Sequence, residues 1–159
     1  MSTWKSFKAK SCTVELGAST KEAVLAEIVD LLVASKTLPE TLREGAVAAL
    51  LDRERTGSTG VGTNVAIPHV KLKGLETVVC SLAVHERGVS WAAIDGAPVH
   101  IVFTVLRPDR PTDKHDPTKH LEMMQWIARL SRDADFRRFA LQVETKAELI
   151  ELLEEKSGV

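Results

Sequence analysis

Arg53-Glu54-Arg55-Thr56-Gly57-Ser58-Thr59-Gly60-Val61-Gly62-Thr63-Asn64-Val65-Ala66-Ile67-Pro68-His69 is the stretch that decides how this chain is read. It passes from a charged helix end through a glycine-rich loop into a short β-prone run, and it stops at an imidazole directly after a proline. Glycines at 57, 60 and 62 let backbone N–H groups approach an anion closely, and an arginine pairs with anionic oxygens. A neutral imidazole is a competent nucleophile near pH 7. Each part suits phosphate, and together they point to a histidine that accepts and donates a phosphoryl group. Pro68 restricts the backbone before His69 and brings no competing N–H. The plainer alternative is a histidine ending an edge strand, satisfied by a backbone carbonyl.

On either side of this stretch the hydrophobic period changes. Upstream, Ser19-Thr20-Lys21-Glu22 reads as a capping box, followed by Val24, Leu25, Ile28, Leu31 and Leu32 on one helical face. Thr37-Leu38-Pro39-Glu40 repeats the start signal, and Leu42, Ala46, Val47, Ala49 and Leu50 outline a second amphipathic helix running toward Arg53. Downstream, residues 65–67, 77–84 and 99–106 are β-branched or apolar runs bounded by turn residues, and they read as strands. Residues 107–116, with Pro108, Pro111 and several charges, read as a loop. Asp116-Pro117 opens a helix with Leu121, Met124, Ile127 and Ala128 on one face, and Thr145-Lys146-Ala147-Glu148 caps a last one. Strands clustered between helices predict an α/β fold, a mixed β-sheet flanked by helices and not a regular βαβ repeat.

At 159 residues the chain suits one domain, able to bury roughly two thirds of its unfolded surface. Lys and Arg number 21 against 22 Asp and Glu, a formal net charge of -1, so no broad basic field recommends nucleic acid as a partner. Cys12 and Cys80 lie far apart without metal-finger spacing, which fits a reduced cytoplasmic protein. No segment approaches the roughly 20 apolar residues that span a bilayer, so no direct membrane insertion is expected. The glycine spacing is neither a dinucleotide fingerprint nor a P-loop, and no cofactor is indicated. His115 with Asp113 and Asp116 invites a metal, but its spacing to His120 across Pro117 fits no standard site, so none is expected. His85 and His100 read as ordinary strand-edge residues, and Trp91 and Trp126 as core or rim packing.

The ordered combination of Asp52-Arg53-Glu54, Gly57-Ser58-Thr59-Gly60-Val61-Gly62 and Val65-Ala66-Ile67-Pro68-His69 resembles the active-site signature of the enzyme IIA domains of the bacterial phosphotransferase system. Within that system it is similar to the fructose/mannitol type, which includes the nitrogen-regulatory branch. Ala93-Ile94-Asp95-Gly96-Ala97-Pro98-Val99 and the pair His120-Leu121 extend the resemblance over nearly the whole chain. It implies an enzyme IIA-like sandwich formed by residues 1–159 as one domain. It also implies that a histidine phosphocarrier protein phosphorylates His69, that Arg53 lines the site, and that His120 lies beside His69 to hold the phosphoryl group or steer the partner. Gly57, Ser58, Thr59 and Gly60 are then the phosphoryl-stabilising loop, with the Thr59 hydroxyl a donor to the group or a cap of the turn.

The onward role is transfer to a cysteine of a separate IIB protein in sugar transport, or a report of phosphorylation state to a regulatory protein. With no IIB or IIC segment in the chain, the second is the expectation. Two positions depart from the family pattern, Asn64 where glycine is common and Val70 where a small residue follows the histidine, and the 107–116 connection is longer. Val70 and that connection are the ground for the alternative, a binding module that kept the fold without phosphotransfer.

Overall fold

Thr20 starts the first helix. Its hydroxyl accepts from the Ala23 N–H at 3.2 Å, and α1 runs Lys21–Ala34 in the computed structural model, which describes residues 3–159. The cap sits one residue later than the predicted Ser19 box, because the chain turns from extended backbone at Thr20 (φ -122°, ψ 154°). The second start signal is delayed further. Pro39 is extended (φ -59°, ψ 139°) and a short 3-10 turn, Glu40–Leu42, intervenes before α2, Arg43–Arg55. Val24, Leu25, Ile28, Val29 and Leu32 of α1 and Ala46 and Leu50 of α2 are fully buried.

The strands follow as β1 (Gly60–Gly62), β2 (Val65–Ala66), β3 (His69–Leu72), β4 (Val79–Val89) and β5 (Val99–Pro108). They are followed by α3 (Pro117–Arg132), α4 (Ala134–Ala140) and α5 (Lys146–Glu155). Asp116 caps α3 by accepting the Thr118 N–H at 2.9 Å with Pro117 at the first position, and Thr145 caps α5, both as the sequence predicts. Residues 77–84 and 99–106 form strands as predicted, the first running on to Val89. The loop after β5 therefore begins beyond Pro108. β1, β3 and α4 are elements that the hydrophobic pattern does not announce, being short or interrupted by glycine and proline.

β5 is the spine of a mixed sheet. On one side it pairs antiparallel with β4, and on the other it pairs parallel with both β2 and β3. Val65 faces Ile101 and His69 faces Val105 at the same offset, so β2 and β3 are one strand line broken at Ile67 and Pro68. β1 folds back on β2 through Thr63 and Asn64, both left-handed (φ 55° and 69°), which asparagine accommodates readily. The strained Thr63 is held by its N–H to Asp95 (3.0 Å) and its hydroxyl to the Ser131 carbonyl (2.9 Å).

Strand alternation sorts the core into two layers. Val65, Ile67, Leu82, Ile101, Phe103 and Val105 meet α3, α4 and α5, with Trp126 and Phe136 among the largest buried side chains. Ala66, Ala83, Val102 and Leu106 meet α1 and α2 on the opposite face. The result is a three-layer α/β sandwich, in line with the predicted class. Trp126 and Trp91 are 0% and 1% exposed; the first belongs to the α3–α5 layer and the second to the α1 and α2 layer.

Gly60 is where the glycine loop touches the segment after Trp91: a Cβ there would lie 2.7 Å from the Ala93 Cβ and 3.0 Å from its Cα. Neither atom can swing away, so Gly60→Ala should cost about 1–3 kcal/mol, the usual range for overpacking. Urea unfolding should show a lowered midpoint at unchanged slope, and an unmoved midpoint would mean that the loop yields freely.

Candidate functional site

His69 opens β3 on an exposed face, and its backbone neighbours set its ring. Nδ1 lies 3.2 Å from the Ile67 carbonyl, which can only accept, so Nδ1 carries the proton and Nε2 keeps its lone pair. Ile67 is itself fixed, its N–H donating to the Thr59 carbonyl at 3.0 Å. The glycine loop thus reaches the histidine through two hydrogen bonds.

The loop is anchored at its other end by a buried ion pair. Glu54, with its side chain 5% exposed, lies 3.2 Å from the Lys21 ammonium, itself 18% exposed. The Glu54 carboxylate also accepts the Thr59 N–H at 3.2 Å and the Thr59 hydroxyl, which in turn accepts the Trp91 indole N–H at 3.0 Å. Ser58 donates to the Trp91 carbonyl at 2.7 Å and accepts the Gly60 N–H at 3.0 Å, while the Gly57 N–H donates to the Glu54 carbonyl. The loop predicted to cradle a phosphoryl group with Gly57, Ser58, Thr59 and Gly60 therefore turns these donors inward. A single hydroxyl proton cannot serve both Glu54 and a phosphoryl oxygen, so Thr59 caps the turn.

Facing His69 is the start of α3. In-register pairing with Val105 puts the His69 side chain on the same face of the sheet as Val105, the face that α3 covers, and Arg107 follows two residues on with the same parity. His120 sits in the first turn of α3. Burial above all, then the charges of Arg107, His115 and His69, pull its pKa from 6.5 down to about 4, so at neutral pH it is an uncharged imidazole. His115 packs edge-on against it, with ring centroids 5.5 Å apart. His69 lies near enough to His120 for its charge to act on that ring, and Arg107 and His115 join them from positions that the sequence reads as the 107–116 loop. The parity of Ile101, Phe103, Val105 and Arg107 was the available signal for the arginine.

Arg53 is placed differently. Its guanidinium donates to the Gly57 carbonyl at 2.7 Å and lies 3.5 Å from the Thr56 hydroxyl, closing the end of α2. Val70 pairs with Leu106 and packs with the α1 and α2 layer, so it lies on the face opposite to His69 and does not crowd it. His85 is buried and not a simple edge residue: Nε2–H donates to the Ala18 carbonyl at 2.8 Å while Nδ1 accepts the Gly88 N–H at 3.0 Å. His100 donates from Nδ1 to the His85 carbonyl at 3.0 Å, and both rings serve the irregular stretch of β4.

The depressed His120 pKa has a consequence for stability. Between about 6.5 and about 4 the unfolded chain binds a proton at this position that the folded chain refuses, so stability falls as pH drops through that window. His120→Gln should remove this component. Its thermal midpoint should decline less than that of the parent between those pH values, and parallel declines would show that His120 protonates freely in the fold.

Comparison with known proteins gives the family and the fold. Residues 5–156 match the family model described as "Phosphoenolpyruvate-dependent sugar phosphotransferase system, EIIA 2". A nitrogen regulatory protein of Pseudomonas aeruginosa is 34% identical over 124 residues, 78% of this chain and 76% of that one. The crystal structure of nitrogen regulatory protein IIA-Ntr from Neisseria meningitidis superposes with a TM-score of 0.77 at 22% identity, covering 94% of this chain and 97% of that one. Enzyme IIA of the Escherichia coli mannitol system, solved in complex with phosphorylated enzyme IIB, gives 0.69 at 18% identity, covering 94% and 99%. With the match spanning nearly its whole length, the chain belongs to the EIIA 2 family of the phosphoenolpyruvate-dependent sugar phosphotransferase system.

Proposed function

We propose that this chain is a phosphoryl carrier whose acceptor is Nε2 of His69. The observation that carries the proposal is the bond from His69 Nδ1–H to the Ile67 carbonyl, which leaves the outward nitrogen nucleophilic on an exposed ring. The donor is a histidine phosphocarrier protein. Its N–P bond breaks as the bond to His69 Nε2 forms, and the loose transition state places charge on three equatorial oxygens. Stabilising that charge is the protein's task, and the neutral His120 ring, Arg107 and Arg53 are the groups assigned to it. The glycine loop acts by holding Ile67, and through it the ring.

The chain acts in the cytoplasm, where its donor is found, and no helix among the described residues is long and apolar enough to cross a membrane. The phosphoryl group is passed to a cysteine of a separate IIB protein, or its presence is read by a regulatory protein. The likeness to a nitrogen regulatory protein at 34% identity supports the regulatory role. A module without phosphotransfer has lost one of its two supports, since Val70 lies on the other face of the strand.

Incubation with phosphoenolpyruvate, enzyme I and the phosphocarrier should add one phosphoryl mass increment to the chain. His69→Ala should lose the increment while keeping the parent's thermal midpoint. An increment that survives in this variant, or that maps to His120, overturns the assignment.

Arg53→Gln tests the arginine separately. Loss of the exposed bond to the Gly57 carbonyl alone lowers stability by about 0.5–1.5 kcal/mol and leaves the rate intact. A guanidinium turned toward the phosphoryl oxygens contributes at least about 1.4 kcal/mol to the transition state, a factor of ten. Initial phosphorylation rates should fall at least that far, and a normal rate with a lowered thermal midpoint would confine Arg53 to the helix end.

A further inference from the structure

The connection between β5 and α3 is pinned along its length. Thr112 donates its hydroxyl to the Glu76 carbonyl and accepts the Lys114 N–H at 3.2 Å, while Thr77 donates to the Lys114 carbonyl at 3.3 Å. The loop is pinned to the β3–β4 connection and delivers His115 against His120. His115 Nε2 and His120 Nδ1 are both buried, and neither has a hydrogen-bond partner among the described residues. A neutral imidazole carries one N–H and one lone pair, so these two partnerless nitrogens, on rings with centroids 5.5 Å apart and planes at 65°, can serve each other as donor and acceptor once the rings close up.

Resting on the reading of His69 as acceptor, we propose that His115 is a positioning residue for the transfer: when the phosphoryl group arrives, its Nε2–H tautomer closes on His120 and donates to His120 Nδ1. That bond fixes His120 as the Nε2–H tautomer, the form that can donate toward the phosphoryl oxygens. The step needs no proton from solvent, because an imidazole already carries the N–H that it donates; the only covalent change is the exchange of one N–P bond for the other, and the cavity of about 620 Å³ that both rings line gives them room to close up.

Electrostatics make His120 the acceptor of the pair. It is held neutral by burial, by Arg107 on β5 and by His69 on β3, so its Nδ1 can keep a lone pair. Around the cavity, Asp113 and Asp116 of the loop and Glu122 of α3 oppose Lys114 and Lys119, so no single fixed charge dominates it. A shared metal ion is the competing use of two such nitrogens, but among the described residues no three His, Cys, Asp or Glu side chains converge as ligands.

The test compares the parent chain with His115→Gln. In the unphosphorylated protein, NMR titration of the imidazole protons should show the His120 midpoint rising in the variant, because a neighbouring imidazolium has been removed; an unmoved midpoint overturns the inference. In the phosphorylated protein, long-range proton–nitrogen spectra should show His120 protonated at Nε2 and accepting at Nδ1, a pattern lost in the variant. The equilibrium with the phosphocarrier should shift toward the donor by about three- to tenfold in the variant, the worth of one net hydrogen bond. That shift should persist to about pH 8, since a neutral imidazole keeps the N–H that it donates. An unshifted equilibrium with normal phosphorylation of His69 overturns the role of His115 alone. Absence of a His69-dependent mass increment in the parent overturns the carrier function and this inference with it.

Discussion

Glu54 carries its charge into a nearly closed space between α2, the glycine loop and α1, where the Lys21 ammonium lies 3.2 Å away. A carboxylate there is tolerable only when paired and hydrogen-bonded, since stripping one partner from such a pair typically costs about 3–5 kcal/mol. Its remaining acceptor capacity is met by the Thr59 N–H and hydroxyl, and Thr59 is tied to the Trp91 indole. From Thr59 the next bond runs to Ile67 and the next from Ile67 to His69. The orientation of the proposed nucleophile thus depends on an ion pair on the far side of the loop. It also depends on α1 and α2 holding their separation, because each supplies one member of that pair.

The parts of this architecture that were legible in the sequence are those governed by local chemistry. Thr145 and Asp116-Pro117 start helices because a hydroxyl or carboxylate oxygen satisfies early N–H groups, and that requirement is visible in a handful of residues. The runs 77–84 and 99–106 are apolar over a length that only a buried strand fits, and His69 stands out after its glycines and proline. Glu54 was not legible, for Arg53-Glu54-Arg55 reads as a solvated helix end until α1 is known to cover it. Arg107 and His115 were missed for a related reason: their meaning comes from the pairing of β3 with β5 and from a loop anchored on Glu76 and Thr77. The glycine loop was located correctly and its donors were assigned outward, whereas packing against Trp91 and Ala93 turns them in.

Strand alternation settles the other misgiving raised by the sequence. Consecutive side chains of β3 must leave by opposite faces, so the β-branched Val70 enters the α1 and α2 layer as His69 turns toward α3. The two layers also divide the labour of the domain. The α1 and α2 layer supplies Lys21 and Glu54, which hold the loop, and the other layer supplies His120, which packs against His115 on the side of the sheet that His69 shares. Sequence can diverge widely under such an arrangement, provided the apolar pattern of each layer persists. The fold is accordingly shared with the Neisseria meningitidis protein at 22% identity.

The break at Ile67 and Pro68 governs the chemistry of the ring in one further respect. By interrupting the strand it lets the imidazole reach back to a carbonyl two residues before it, where many reactive histidines are oriented by an aspartate or glutamate. A carboxylate would raise the basicity of the ring and strengthen its grip on an attached phosphoryl group. A neutral carbonyl fixes the tautomer without that penalty, so the imidazole remains a good leaving group. In a carrier of the kind proposed, where the group is handed on as easily as it is received, such a backbone partner keeps the transfer potential of a phosphohistidine high and the exchange near equilibrium in both directions.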